Sequence, residues 1–471
     1  MSTKSPLSQS NVLPRVMGLW TAIALVVGGT IGTGVFVKPQ VVARNLGSFD
    51  WAISAWILCG VLAFFGCMAL AELSAMMPQA GGNYVYLKRG YGPVAGFLWG
   101  WIEFWVMRTG SIAALAWMAT ETLFVDFLQI QLEPGGILIG SLIVVLFLTV
   151  INAVGLSWGG AFQNLTTSLK IGTLVIIALL PFLFGSADIQ KLSEQIESPP
   201  HRMVGFAGAM LATLWAYKGW ADLGAVAEDI EEPSRNLPRA FAYGLLIIAG
   251  LYVAANLAYA LVLTPTEMIQ LPAGKNVAAG FMEKLLAGWG ASASEWGGRI
   301  VSLIIGISAI GAMNASVLVG PRGYFALARD GLFPRWFSTT SGRETTPLTS
   351  ILLQSLWTCL LIIGSELVRR FSIAFTTNPF DLLTDYVVFG AVIFETLAVS
   401  AVFRMRYLEP DLVRPFRCWG YPWAPALHVL AMIYVAVETV RHQWLQSSVA
   451  LGFIALGAVV YLLVHGRRRS L

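Results

Sequence analysis

Four glycines within seven residues mark the first stretch of the sequence that could bind a small ligand. The stretch GGTIGTG, residues 28–34, lies inside an uncharged apolar run. Glycine in a helix interior costs roughly 1 kcal/mol relative to alanine, so the cluster predicts an interrupted helix. The free N–H groups where a half-helix restarts suit a carboxylate, which we expect at Thr33 and Gly34. Gly32 would let the ligand approach the backbone closely.

The alternative explanation for these glycines is close helix packing, which small residues commonly allow in membranes. The substitutions Gly32→Ala and Gly34→Ala separate the two interpretations. A binding site predicts that both variants lose the ligand but keep their fold, whereas packing predicts loss of folded protein.

A second stretch, LWAYKGWADLG at residues 214–224, combines glycines with aromatic and ionisable residues. Unpaired carbonyls at the ends of interrupted helices suit an ammonium group. We expect the backbone of Thr30, Trp215 and Lys218 to bind such a group. Together the two stretches predict a site for a molecule that carries both a carboxylate and an amine.

Charges inside apolar runs are further candidates, because ionisable residues within a membrane are rare and commonly functional. Lys170 lies in such a run, and the alternative is that its stem extends to the membrane interface. Glu103 and Arg108, in WIEFWVMRTGS, predict a buried pair that orients their helix, or a direct contact to the ligand.

The elements that must position these residues are membrane-spanning helices. The chain has 471 residues, of which 56% are hydrophobic and 12% charged, and its mean hydropathy is +0.70. Soluble domains carry about 25% charged residues, so the composition predicts an all-α integral membrane protein. We count twelve apolar runs of spanning length, numbered here as predicted spans 1 to 12 and centred near Val27, Leu62, Val106, Leu146, Leu174, Thr213, Leu251, Ser308, Leu356, Phe394, Met432 and Leu456.

The two glycine-containing stretches fall in predicted spans 1 and 6, as two inverted five-helix repeats require. This predicts repeats at residues 17–185 and 203–403, followed by two helices at 423–465 in the same single transport domain. The excess of Lys and Arg in alternate segments places both termini, residues 1–16 and 466–471, in the cytoplasm. Glu228 and Asp229, followed by Arg235 and Arg239, predict a cytoplasmic gate or a solvated cluster.

Several other kinds of function find no support in the sequence. The four cysteines fit neither a disulfide framework nor a zinc site, and the four histidines are scattered, so we expect no metal and no cofactor. The net charge of +4 follows from the loop bias and gives no reason to expect a nucleic-acid partner. We find no cluster of catalytic residues within the spans, so we expect no enzyme, and no ring of polar residues typical of a channel.

Four motifs in order resemble the amino acid/polyamine/organocation transporter superfamily over nearly the whole chain: GGTIGTGVFVKP, LWAYKGWADLGAVAEDIEEPSRNLPRA, GPRGYFALARDGLFPRWF and RPFRCWGYPWAP. Within it, WIEFWVMRTGS and AYKGW are most similar to the L-type amino acid transporters and their bacterial exchangers. The resemblance implies the twelve-helix fold with a repeat of five plus five helices, and sodium-independent exchange of neutral, polar or acidic L-amino acids across the lipid bilayer. Proton-coupled symport and a transporter-like amino acid sensor remain alternatives.

The resemblance also implies roles for individual residues. Trp215 matches the aromatic gate that closes over the substrate, although a packing tryptophan is the alternative. Lys170 matches a lysine that takes the place of a sodium ion between helices 1 and 8. Lys218 matches a position that faces the substrate side chain, where a cation would favour glutamate or aspartate. Alternatively, Lys218 is neutralised by Asp222 or Glu103.

The loop VDFLQIQLEPGG contains no cysteine. Because animal L-type transporters use a cysteine there to attach a glycoprotein subunit, the resemblance implies a form that works without a disulfide-linked heavy subunit. It therefore favours a bacterial inner membrane.

Overall fold

The computed structural model describes residues 15–196, 202–272, 275–341, 346–371, 379–442 and 444–465. The tails predicted at residues 1–16 and 466–471 thus lie almost entirely outside the described residues. Regular structure in the described part is helical, apart from three isolated backbone bridges. The α-helices are α1 (Leu19–Thr30), α2 (Gly34–Leu46), α3 (Phe49–Met76), α4 (Asn83–Tyr91), α5 (Pro93–Ile102), α6 (Arg108–Thr120), α7 (Pro134–Val154), α8 (Leu156–Leu183), α9 (Arg202–Ala216), α10 (Pro233–Val262), α11 (Pro265–Ile269), α12 (Val277–Leu286), α13 (Ala291–Arg329), α14 (Leu348–Phe371), α15 (Pro379–Leu408), α16 (Trp423–His442) and α17 (Trp444–His465).

Eight of the described helices are long and apolar enough to cross a membrane by themselves, and α1 with α2 forms a further bent pair. The centre of each of the twelve apolar runs lies in a described helical segment. The outward faces of these helices are apolar. On α7, for example, Ile139, Ile143, Leu146 and Val150 are each more than half exposed at helical spacing, which is the surface that lipid tails solvate.

The helix of predicted span 1 breaks at the glycine cluster. Helix α1 ends at Thr30 and α2 begins at Gly34, and the two helix axes are bent by 42°. Ile31, Gly32 and Thr33 lie between them and have no helical assignment. The interrupted helix expected from GGTIGTG is therefore present.

Predicted span 6 breaks at the corresponding place. Helix α9 ends at Ala216, a short turn follows, and a 3₁₀ segment runs over Trp220–Asp229. In the turn, Gly219 has φ +116°, and a Cβ atom there would lie 2.5 Å from the carbonyl oxygen of Gly29. Only glycine fits such a position, so the two breaks touch each other at their glycines.

A π-helical segment interrupts predicted span 3 between α5 and α6, at Glu103–Met107. In an α-helix two residues five apart differ in direction by about 140°, but a π-turn joins residues i and i+5. The π-turn therefore brings Glu103 and Arg108 onto one face, with Arg108 Nε donating to Glu103 Oε1 at 2.7 Å.

Candidate functional site

A cavity of about 180 Å³ lies where the two broken helices meet, with α6, α13 and α15 around it. It brings together all but one of the site residues predicted from the sequence, namely Thr30, Gly32, Thr33, Gly34, Glu103, Arg108, Trp215 and Lys218. The exception, Lys170, lies on α8 and contacts helix α1 instead. Residues as distant in sequence as Thr30 and Glu395 thus share one small cavity.

The N-terminus of α2 points its free donors at this cavity. Helix α2 begins at Gly34 after Thr33, both residues line the cavity, and no side chain caps this end. The first N–H groups of a helix have no partner within the helix, and they carry the positive end of its dipole. This end of α2 is therefore suited to bind a carboxylate.

The glycines of span 1 differ in what they do. A Cβ atom at Gly32 would meet nothing within 4 Å, so this glycine borders open space in the cavity. A Cβ atom at Gly34 would lie 2.8 Å from the Cα atom of Ala216, and one at Gly28 would collide with Gln163 and Thr167. Close packing therefore explains Gly28 and Gly34, whereas Gly32 keeps the cavity open.

The expected carbonyl acceptors are partly engaged already. The Tyr252 hydroxyl lies 3.2 Å from the Thr30 carbonyl oxygen and 2.9 Å from that of Ala216. The Lys218 N–H donates to the Trp215 carbonyl at 3.2 Å. The Thr30 carbonyl also accepts from the Gly32 N–H at 2.8 Å. A carbonyl oxygen has two lone pairs and a tyrosine hydroxyl has one proton, so Thr30 can accept from an ammonium group only when Tyr252 donates to Ala216, whereas Trp215 can accept one more hydrogen bond.

Lys170, on α8, contacts the break between α1 and α2 in predicted span 1. Its ammonium donates to the carbonyls of Gly28 at 2.8 Å and Ile31 at 2.6 Å, and its side chain is 4% exposed. Ser308 on α13 lies 3.2 Å from the same Ile31 oxygen and 2.9 Å from that of Gly32. The alternative interpretation, in which the Lys170 stem extends to the membrane interface, does not agree with this geometry.

Arg108 forms ion pairs with Asp222 and Glu103, the two acidic residues that the sequence suggests as partners of Lys218. Its Nη1 and Nη2 atoms donate to the two carboxylate oxygens of Asp222 at 2.6 and 2.7 Å, and its Nε to Glu103. The expectation that Lys218 pairs with Asp222 or Glu103 is therefore wrong. Its ion-pair partner is Glu395 on α15, at 3.8 Å between Nζ and Oε2.

Glu395 is the residue of the site that the sequence analysis missed. The signal was present, because Glu395 is an acidic residue in the apolar run of predicted span 10, and the rule that selected Lys170 applies to it equally. What the sequence does not contain is its pairing with Lys218, which depends on the packing of α15 beside the turn after α9.

Trp215 borders the cavity beside α2. The Lys38 ammonium lies 4.5 Å from the centroid of its ring, and the ring also approaches Gly34. A half-buried tryptophan at the rim of a cavity can close over a bound molecule by a change of rotamer. The role of Trp215 as a gate stays a prediction.

The far end of the 3₁₀ segment is tied to α13 by buried ion pairs. Glu228 accepts two hydrogen bonds from Arg329 at 3.1 Å, and Asp229 accepts one from Arg322 at 3.2 Å. The two carboxylates are 8% and 1% exposed, so the interpretation as a solvated cluster is wrong. Their partners come from α13 and not from the neighbouring Arg235, which pairs with Glu232.

Metal and disulfide chemistry have no visible basis in the part of the chain that the structure describes. No group of three or more His, Cys, Asp or Glu residues there could hold a metal ion. The four cysteines are free, and three of them are buried.

Comparison with known proteins gives matches over nearly the whole chain. A family model described as amino acid permease matches residues 17–461. The sequence is 31% identical to the serine/threonine exchanger SteT of Bacillus subtilis, covering 98% of this chain and all of that protein. It is 28% identical to the b(0,+)-type amino acid transporter 1 of Mus musculus, covering 98% and 90%, and 25% identical to the cystine/glutamate transporter of Homo sapiens, covering 98% and 88%.

Proposed function

Because this chain belongs to the amino acid permease family, we propose that it is a sodium-independent amino acid exchanger that works by alternating access. The family match and these relatives confirm the resemblance to the amino acid/polyamine/organocation superfamily and to its L-type and bacterial exchangers. The observation that carries the proposal is the cavity between two interrupted helices. In a multi-pass membrane protein, such breaks leave backbone N–H and C=O groups free to bind a zwitterion.

The proposed binding mode uses backbone groups for the part that all amino acids share. The carboxylate binds the N–H groups at Thr33 and Gly34, where α2 begins without a side-chain cap. The ammonium binds the carbonyls of Thr30, Trp215 and Lys218. Trp215 then closes over the bound amino acid and separates it from water.

Lys170 supports transport without sodium. A sodium ion in a protein is held by carbonyl and hydroxyl oxygens, and the Lys170 ammonium supplies the same single positive charge to the Gly28 and Ile31 carbonyls. Among the described residues it takes part in no ion pair, so backbone dipoles alone stabilise its charge, as they would a bound cation.

The proposed architecture has twelve helices, of which residues 17–185 and 203–403 form inverted repeats and 423–465 the last two helices. The matched positions of the breaks in spans 1 and 6 support it. The proposed location is a bacterial inner membrane with both termini in the cytoplasm, and the absence of cysteine from the loop at residues 125–136 supports a transporter without a disulfide-linked heavy subunit.

A second candidate function, proton-coupled symport, is favoured by one observation. The carboxylates that line the cavity are Glu103, Asp222 and Glu395, against only two cations, Arg108 and Lys218. There is thus one more carboxylate than there are cations. The carboxylate without a cationic partner could bind a proton that moves with the substrate.

Transport in proteoliposomes tests both candidates. Purified protein is reconstituted, and uptake of a panel of radiolabelled amino acids is measured with and without unlabelled amino acid inside, in the absence of sodium. We expect uptake only when amino acid is present inside. Uptake into empty liposomes that requires an inward proton gradient would favour symport, and binding without any flux would favour a sensor.

A further inference from the structure

We propose that Lys218 and Glu395 form the subsite for the substrate side chain, and that they select amino acids whose neutral side chain both donates and accepts hydrogen bonds. Hydroxyl and carboxamide side chains have this chemistry. The inference rests on the proposed function, because it names the class of amino acid that the cavity takes.

The geometry of the pair points to a bridging group. The Lys218 Nζ atom is buried and has no hydrogen-bond partner among the described residues. Its distance of 3.8 Å from Glu395 Oε2 exceeds that of a hydrogen bond, and both side chains line the cavity. A donor and an acceptor thus face the same space without satisfying each other.

Among the described charged residues that line the cavity, only Lys218 and Glu395 are not engaged by Arg108. The Arg108 guanidinium already donates to both oxygens of Asp222 and to Glu103. These three groups satisfy one another, so a substrate side chain gains little from them. Two described residues of the cavity lining have a buried side-chain donor without a partner, the Thr30 hydroxyl and the Lys218 ammonium. Only the ammonium is charged, and the Glu395 carboxylate lies beside it.

Charged side chains are disfavoured by one member of the pair in each case. An acidic side chain would contact Lys218 but lie within a few ångströms of Glu395, in a cavity that already has more carboxylates than cations. A basic side chain would contact Glu395 but lie close to Lys218. Like charges in a poorly solvated site repel strongly, and the carboxylate excess makes the acidic side chain the worse of the two.

Apolar side chains are disfavoured for a different reason. They would exclude water from the Lys218 ammonium and the Glu395 carboxylate without replacing its hydrogen bonds. A site built to hydrogen-bond its substrate discriminates strongly against analogues that lack the polar group. A hydroxyl or carboxamide instead accepts from Lys218 and donates to Glu395. An unpaired Lys218 would favour glutamate or aspartate. With Glu395 beside it, we expect a preference for neutral polar side chains instead.

Competition experiments in proteoliposomes test the proposal. Exchange of labelled serine is measured against unlabelled serine, threonine, asparagine, glutamine, leucine, glutamate and lysine. We expect the hydroxyl and carboxamide amino acids to compete at least about tenfold better than leucine, lysine or glutamate. If serine is not exchanged, the preference is measured with whichever labelled amino acid is, and a preference for acidic, basic or apolar amino acids would overturn the inference while leaving exchange intact.

Two variants then test the pair itself. Glu395→Gln removes one carboxylate, so we expect glutamate to gain relative to serine. Lys218→Met removes the cation, so we expect lysine to gain. Glu438→Gln, whose carboxylate pairs with Arg441 at 2.8 Å and does not line the cavity, is the matched control and should change neither ratio.

These shifts in opposite directions distinguish specificity from a structural role. If both variants lower the exchange of every amino acid by one common factor, the pair only supports the fold and the inference fails. If Lys218→Met does not fold, Glu395→Gln alone decides. If the wild type binds and exchanges no amino acid at all, the proposed function itself is wrong.

Discussion

At the scale of single residues, the structure gives the same residue type different tasks within one motif. Gly32 borders the cavity, whereas Gly34 packs against the backbone of Ala216. Both were expected to leave space for a carboxylate. The sequence shows that glycines are needed here, but the neighbour of each glycine comes from another helix.

We predict that Gly32→Ala and Gly34→Ala fail for different reasons. A methyl group at Gly32 enters open cavity, so the variant should fold but lose at least tenfold in amino acid affinity. A methyl group at Gly34 collides with Ala216, and such overpacking costs about 1–3 kcal/mol or more. Monodispersity and thermal stability in detergent, together with ligand binding, separate the two outcomes.

Gly364→Ala is the control for both variants, because a Cβ atom at Gly364 on α14 would meet nothing within 4 Å and the residue does not line the cavity. It should behave as the wild type. If Gly34→Ala is as stable as the wild type, or Gly32→Ala is as unstable as Gly34→Ala, this division of tasks is wrong.

Lys170 is the second test at the residue scale. We predict that Lys170→Ala loses transport at least about tenfold, because the Gly28 carbonyl loses its donor, Ile31 keeps only Ser308, and an unsatisfied buried group costs about 1–3 kcal/mol. Exchange in proteoliposomes measures the loss. Lys284→Ala, which removes an exposed lysine paired with Glu267, should keep the wild-type rate.

Full exchange by Lys170→Ala would mean that the broken helix needs no cation from α8. The role of Lys170 in place of sodium would then be rejected, although the hydrogen bonds would remain as a structural feature.

At the scale of elements, interruptions in helices position the chemistry. The π-turn at Glu103–Met107 aligns Glu103 with Arg108, and the turn after α9 places Lys218 and Asp222 around the same cavity. Arg108 connects these two elements through its bidentate contact with Asp222. The arginine therefore fixes the π-turn of span 3 against the broken span 6.

We predict that Arg108→Lys lowers exchange at least tenfold although charge is conserved. A lysine ammonium cannot reproduce the planar fork of a guanidinium, so one of the two carboxylates, Glu103 or Asp222, would lose its partner. The measurement is exchange by protein of confirmed monodispersity. Arg441→Lys, at an exposed pair with Glu438, is the matched control. Equal activity of Arg108→Lys and the wild type would show that the charge alone matters.

At the scale of the whole molecule, buried ion pairs join the 3₁₀ segment to α13, and we predict that they act as a gate on one side of the cavity. Glu228 also accepts a hydrogen bond from the Ala80 N–H at 2.9 Å, which joins the loop between α3 and α4 to the same contacts. If these contacts form a gate in the proposed alternating-access cycle, they break in the opposite state. Because the ion pairs are buried, removing one partner destabilises the state that contains the pair and favours the state without it.

We predict that Glu228→Gln shifts the protein toward the state that is open on the Glu228 side. A cysteine placed at Ala114, which lines the cavity, should react faster with a membrane-impermeant thiol reagent applied from that side, and exchange should slow. Glu232→Gln, at an exposed pair with Arg235, should leave the reaction rate unchanged. An unchanged rate in Glu228→Gln would contradict a gating role for this ion pair.

The sequence by itself determined the class of the molecule and the places where its helices break. Apolar runs of spanning length and the glycine clusters are local properties of the chain, so helical spans and breaks at residues 28–34 and 214–224 could be predicted, and the four motifs indicated the family. Intramembrane charges also marked Lys170, Glu103 and Arg108 as candidates, because their burial needs a partner whatever the fold.

Only the tertiary structure decided which of these charges meet. The sequence suggested Asp222 or Glu103 as partner of Lys218, because Asp222 lies one helical turn away. In the structure Arg108 holds both carboxylates and Lys218 faces Glu395, since the break after α9 removes the helical register on which the sequence argument depended. Which charged residues pair depends on how helices that are distant in sequence pack together. The character of the proposed side-chain subsite depends on the same packing.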